Sequence, residues 1–167
     1  MYFLNYVSAL IISLDMTNNK TTFNFQEGDI VTITPDYRSS IKAFLSQPDF
    51  RVYEVMSIND DGTLKLDGVL TDIPFKYVEG VPLDSELTQQ LYYDNIYMGR
   101  AYEVGNVRDF EDISARQPLM TTLNESLHNT SIWEAIQSGE FHYIHELQHW
   151  IEENVAHSRI RINQFWQ

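Results

Sequence analysis

Phe50-Arg51-Val52-Tyr53-Glu54-Val55-Met56-Ser57-Ile58 alternates at period two, Asn59-Asp60-Asp61-Gly62 follows, and Thr63-Leu64-Lys65-Leu66 alternates again. Two alternating runs joined by a polar turn ending in glycine predict an antiparallel hairpin. The flanking residues extend it. Phe23-Asn24-Phe25-Gln26-Glu27-Gly28-Asp29 leads through a Gly-Asp turn into the β-branched run Ile30-Val31-Thr32-Ile33-Thr34. A polar loop between Pro35 and Pro48 comes next, and Phe75-Lys76-Tyr77-Val78 offers a fourth strand. Several short strands in about sixty residues predict a small β unit over 21–82, an SH3-like barrel or meander. The aromatic positions on these strands read as core rather than as a peptide groove.

Beyond residue 82 the pattern changes period. Pro82-Leu83-Asp84 opens a short predicted helix, with Asp84 or Ser85 as N-cap and Leu87 and Leu91 on its buried side. Ser131 and Glu134 have the spacing of a capping box for a helix that stops at Gly139. A last helix is expected over 141–154, with Ile144, Leu147, Ile151 and Val155 along its apolar stripe. Arg159-Ile160-Arg161-Ile162 alternates as an edge strand. Tyr92, Tyr93, Tyr97 and Tyr102, with Gly99 and Gly105, read as irregular strands. The expected fold is therefore α+β, an SH3-like β-barrel or meander sheet followed by C-terminal helices packed on it. An apolar N-terminal extension occupies 1–20, the β unit 21–82 and an α+β part 83–167, with 21–167 forming one compact domain.

Charge and composition remove several functions. The 167 residues contain no cysteine, which excludes disulfides, cysteine-based zinc sites, iron–sulfur clusters and thiol catalysis. The formal net charge of −13 divides into −5 over residues 1–80 and −8 over 81–167, so no basic half is concealed. Arg100, Arg108 and Arg116 alternate with Glu103, Asp109, Glu111 and Asp112, which argues against direct nucleic-acid binding. An acidic chain of this size also admits the reading of a DNA-mimic inhibitor. Met1 to Asp15 carries neither Lys nor Arg, and the apolar run from Val7 to Leu14 is too short to span a bilayer. The segment reads as an upstream extension or a packed strand of chain, no membrane partner is expected, and the cytoplasm is the expected location.

His145-Glu146-Leu147-Gln148-His149 is the H-E-x-x-H pattern of zinc peptidases. On a helix, histidines at i and i+4 share a face and can share a metal, while Glu146 is placed to act as general base on a metal-bound water. His142 extends the row. A third ligand would have to be His142 or His157, with His128 also upstream, because the glycine-turn version of the motif wants Gly and His where the chain has Glu152 and Val155. The alternatives are a zinc-dependent hydrolase and a helix whose histidines and glutamates form a hydrated or hydrogen-bonded face. With the ligand set short, the expectation is no cofactor, with zinc as the alternative, and no catalytic residue, with Glu146 as the alternative.

Tyr143-Ile144-His145-Glu146-Leu147-Gln148 resembles the Tyr-Val-His-Gln-Leu-Gln signature of small uncharacterised proteins encoded by Bacteroidetes genomes and their phages. Val81-Pro82-Leu83-Asp84-Ser85-Glu86-Leu87 is similar to that family's Ile-Pro-Leu-Thr-x-Glu-x-Leu stretch, and Val55-Met56-Ser57-Ile58 with Leu64-Lys65-Leu66 resembles its β unit. The likeness runs from residue 27 to 155, departs in the N-terminal extension and fades over 93–116. In that family the position of Glu146 is commonly Gln and that of His149 varies, so the resemblance implies that catalysis through Glu146 is not a shared trait. It implies no activity, only a phage or prophage setting in the cytoplasm of an anaerobic gut bacterium. The expected function is a non-enzymatic interaction module that binds another protein, with Tyr143, His145, Leu147 and Gln148 as candidate binding residues. The competing role for the same four is to lock the helix onto the barrel.

Overall fold

A computed structural model of the chain describes residues 23–95, 119–120, 123 and 130–163. Among these, five strands form one antiparallel sheet in the order β4-β3-β2-β1-β5: β1 Ile30–Ile33, β2 Tyr53–Ile58, β3 Thr63–Leu66, β4 Ile73–Pro74 and β5 Val78–Gly80. The expected hairpin is β2–β3. Asn59 closes it, donating its backbone N–H to Thr63 O (2.9 Å) and accepting from Gly62 N–H (3.1 Å), with Gly62 at φ +80. The register slips between Val55 and Ser57, so Met56 is an extra residue on β2 and stands exposed.

The Gly-Asp turn before β1 forms as expected. Gly28 adopts φ +90 and donates its N–H to Val55 O (2.8 Å), which sets the register at Ile30↔Glu54 and Val31↔Tyr53. The expected strand over 75–78 does not form: Phe75–Tyr77 is a 3-10 turn and only Val78 belongs to a strand. Pro74 has no N–H to continue the ladder, so the chain leaves β4, makes a 3-10 turn over Phe75–Tyr77 and re-enters the sheet as β5 at its opposite edge. No pairing joins β4 to β5 among the described residues, and the sheet is not a closed barrel.

The stretch read as a polar loop contains α1, Pro35–Ser40, because a proline in the first turn is pre-set for helical φ. Arg38 from α1 holds the following chain by donating to the carbonyls of Pro48 and Phe50 and, through Nε, to the Tyr53 hydroxyl. The helix expected after Pro82 is a 3-10 turn, Glu86–Gln90, capped by Ser85 Oγ on Leu87 N–H (3.1 Å). Leu91 leaves it to start β6, Leu91–Asn95, which pairs with β7, Ser158–Ile162, the strand read from the Arg-Ile alternation. The described residues also include α2, Thr130–Gln137, and α3, Ile144–Asn154. Ser131 lies inside α2 rather than capping it, and Gly139 ends that segment at φ +76. Helices do not all follow the sheet, since α1 sits between β1 and β2 and β7 follows α3. Tyr97, Tyr102, Gly99, Gly105, His128, Arg100, Arg108, Arg116 and residues 1–20 lie outside the described residues.

Alternation along β1 divides the core in two. Val31 and Ile33 join Val55, Leu64, Leu66, Ile73 and Val78 on one side of the sheet. Ile30 faces the other way, into Val81, Leu91, Leu119, Leu123, Ile132, Ile144, Leu147, Ile151 and Ile160. The strand is a wall common to both.

Candidate functional site

The H-E-x-x-H helix starts where the chain after β5 is paired. Ile144 N–H donates to Val81 O (2.8 Å), Leu83 N–H donates to His142 O (3.0 Å), and Pro82 bridges Tyr143. That anchoring places Ile144, Leu147 and Ile151 fully inside the second core. It also turns Gln148 and His149 onto the Gln26–Ile30 turn, and His145 against Phe23 and Phe25 just before it. His142 precedes the helix and is exposed, so the expected row of three histidines is broken at its first member.

Each polar group of the motif has a defined position. Glu146 is the third residue of α3, and its Oε2 accepts from the backbone N–H groups of His142 (2.7 Å) and Tyr143 (3.0 Å). This is the reaching-back arm of a capping box, with the carboxylate set against the positive end of the helix. Gln148, 5% exposed, uses both ends of its amide: Oε1 accepts from Ile30 N–H (2.8 Å) and Nε2 donates to Gly28 O (3.1 Å). His149 Nε2 lies 2.6 Å from Oδ1 of Asp29, a carboxylate that is only 2% exposed and whose other oxygen accepts from Gln26 N–H (2.9 Å). A buried carboxylate is tolerated when its lone pairs are met in this way.

His145 is 5% exposed and sits among the rings of Phe25 (5.1 Å), Tyr143 (5.8 Å) and Phe23 (5.9 Å). Its Nδ1 is enclosed with no hydrogen-bond partner. The floor of this enclosure is Gly80, where a β-carbon would come within 2.8 Å of the Tyr143 ring and 3.0 Å of the His145 ring.

No known protein family, curated protein or solved structure matches this chain. The geometry therefore carries the reading. Of the candidate binding residues, His145, Leu147 and Gln148 are buried and engaged within the chain, which is the locking role, and Tyr143 keeps part of its surface. Of the candidate ligands, His149 faces Asp29, His145 is walled by aromatic rings, and His142 and His157 are exposed. Among the described residues no three His, Asp or Glu side chains converge as a cation site. In this arrangement Glu146 caps the helix N-terminus and His149 turns Nε2 to the Asp29 carboxylate. Sequence reasoning missed Asp29, Gly28 and Gly80. The Gly-Asp turn was visible as a strand opener, but nothing local marked it as the partner of a helix.

A cleft of about 420 Å³ lies beside the helix start, lined by Pro82, Leu83, Asp84, Phe141, His142 and Tyr143.

Burial holds the His145 imidazole below its ordinary 6.5, against the pull of the Asp29 and Glu146 carboxylates. The unfolded chain takes up this proton near pH 6.5 and the folded chain only at lower pH. The neutral imidazole thus contributes stability that is complete above pH 6.5 and is lost as pH falls through the folded value. In urea titrations at pH 7.5 and pH 5, the stability gap between wild type and His145→Phe is expected to shift in favour of the variant on acidification. A gap independent of pH would show that His145 does not titrate differently in the folded state.

Proposed function

We propose that the chain is a non-enzymatic protein-interaction module, an accessory protein of phage or mobile-element origin that works in the cytoplasm. The observation that carries this is the use of the H-E-x-x-H groups as fasteners, with Glu146 capping α3 and Gln148 and His149 bolted to the turn before β1. A hydrolytic role would need Glu146 directed at a metal-bound water, and its acceptor oxygen is directed at two backbone N–H groups instead. The phage setting rests on the signature around Tyr143–Gln148. The finer reading of the sheet as SH3-like rests on the order β4-β3-β2-β1-β5 and on the 3-10 turn between β4 and β5. Among the described residues no helix is long and apolar enough to cross a membrane.

The test is metal content. Untagged protein purified from zinc-supplemented medium is expected to carry far less than one zinc per chain by plasma mass spectrometry, while remaining folded by circular dichroism. About one zinc per chain, lost in His145→Ala/His149→Ala, would overturn the proposal and return Glu146 to a catalytic role.

A further inference from the structure

An aspartate followed by glycine can react with its own backbone, because glycine has no side chain to shield its nitrogen. The chain has two such pairs, Asp61-Gly62 and Asp67-Gly68, one beyond each end of β3. In the reaction the glycine nitrogen attacks Cγ of the protonated aspartate. An N–Cγ bond forms, the carboxyl hydroxyl leaves with the amide proton as water, and a five-membered succinimide results. Water then reopens the ring at either carbonyl, and one product carries the chain through Cβ as an isoaspartyl linkage. The sum is mass-neutral and consumes nothing.

The fold treats the two pairs differently. The Asp61 carboxylate accepts from the Thr63 hydroxyl (2.6 Å) and the Thr63 N–H (3.0 Å). These bonds hold it below its ordinary 3.8, in the ionised form that is the poorer electrophile. Its nucleophile is held too, since Gly62 N–H donates to Asn59 O (3.1 Å). At Asp67-Gly68 neither reacting group is restrained. Both residues are exposed, and among the described residues no hydrogen bond reaches the Asp67 carboxylate or the Gly68 N–H. The space beside the Gly68 α-carbon is open. Glu54, whose carbonyl receives Asp67 N–H (2.9 Å), brings a second carboxylate that repels Asp67 rather than holding it.

The backbone around this pair fastens a loop. Val69 N–H closes the turn on Leu66 O (3.3 Å), Ser46 N–H donates to Gly68 O (2.8 Å), and Leu70 N–H donates to Phe44 O (2.8 Å). Leu45 and Val69 thereby face each other and enter the first core. An isoaspartyl linkage adds one backbone atom inside that turn.

We propose that Asp67-Gly68 is a self-modification site, at which Asp67 isomerises through a succinimide in the folded protein while Asp61 is protected. The product loosens residues 44–46 from the turn.

The experiment is prolonged incubation of the full chain at neutral pH, followed by trypsin, which places Asp61 in peptide 52–65 and Asp67 in peptide 66–76. Isoaspartate is read by enzymatic carboxyl methylation and by a retention shift at unchanged mass, so deamidation of Asn59 is not counted. It is expected to accumulate several times faster in 66–76 than in 52–65, and at similar rates in both when the chain is unfolded in guanidinium chloride. Asp67→Ser is expected to abolish the 66–76 signal. In the isomerised fraction the Ser46 and Leu70 amides are expected to lose hydrogen-exchange protection while Gly28 keeps its own. Equal or faster reaction at Asp61, the same ratio in the folded and unfolded chain, or a 66–76 signal that survives Asp67→Ser would overturn the site. Unchanged protection at Ser46 and Leu70 would overturn the loosening.

Discussion

Gln148→Ala is expected to lower the stability of the folded chain by about 3 kcal/mol in urea unfolding followed by circular dichroism. The side chain does what a neighbouring strand would do, receiving the Ile30 N–H at one end and reaching the Gly28 carbonyl with the other. Alanine leaves the buried Ile30 N–H unpaired, worth about 1–3 kcal/mol, removes the amide that reaches the more accessible Gly28 carbonyl and opens a void where the side chain stood. Against a typical total of about 5–15 kcal/mol this is a large fraction. Gln148→Glu tests the donor half separately. A carboxylate still receives Ile30 N–H but sets charge against the Gly28 carbonyl, so it should be at least as damaging near neutral pH and partly recover when protonated in acid. A loss below about 1 kcal/mol for Gln148→Ala would mean that water or a shifted backbone serves both groups, and the fastening role would be abandoned.

Gly80→Ala is expected to cost about 2 kcal/mol. Gly80 is paired with Val31 in the sheet, so its backbone has little freedom to move away. The added methyl would stand 2.8 and 2.9 Å from Tyr143 ring atoms and 3.0 Å from His145, and these rings are themselves packed against Phe23 and Phe25. Relief requires the aromatic group to repack or α3 to tilt. A cycle with Tyr143→Ala separates this from a general strand effect. If the clash is with that ring, the double variant loses less than the sum of the two single variants by at least about 0.5 kcal/mol; strict additivity would place the strain elsewhere.

The sheet was more legible than the helix contacts, for a physical reason. Period-two alternation in 50–66, the Asn59–Gly62 turn and the Arg-Ile alternation of β7 are local signals, and each produced its strand. Pro74 was a local signal too, since a missing N–H ends a ladder, and a 3-10 turn follows it where a strand was expected at 75–78. The motif helix was a different matter. A glutamate three residues into a helix and a glutamate between two metal ligands look identical in a string. With Tyr143 rather than serine or threonine at the N-cap, only the Glu146 arm of a capping box is made, and the pattern was disguised. His149 reads as a metal ligand until Asp29 is brought beside it, and 120 residues separate the two. The cleft at Asp84 was equally hidden, since Pro82–Asp84 and 141–143 meet only through tertiary pairing.

The distance between the fastened parts bears on how the chain is made. Ile30 and Gln148 are 118 residues apart, and Gly28 and Gln148 are 120 apart. A ribosome that adds about 5–20 residues per second releases the strand and its turn many seconds before the helix that completes them. Through that interval Asp29 and the inner edge of β1 lack their partners, and Ile30 has no second core to enter. The nascent β unit is thus a half-finished surface awaiting its own C-terminal segment, and the period of its synthesis is when it is most exposed to a chaperone, a protease or a second unfinished copy of itself.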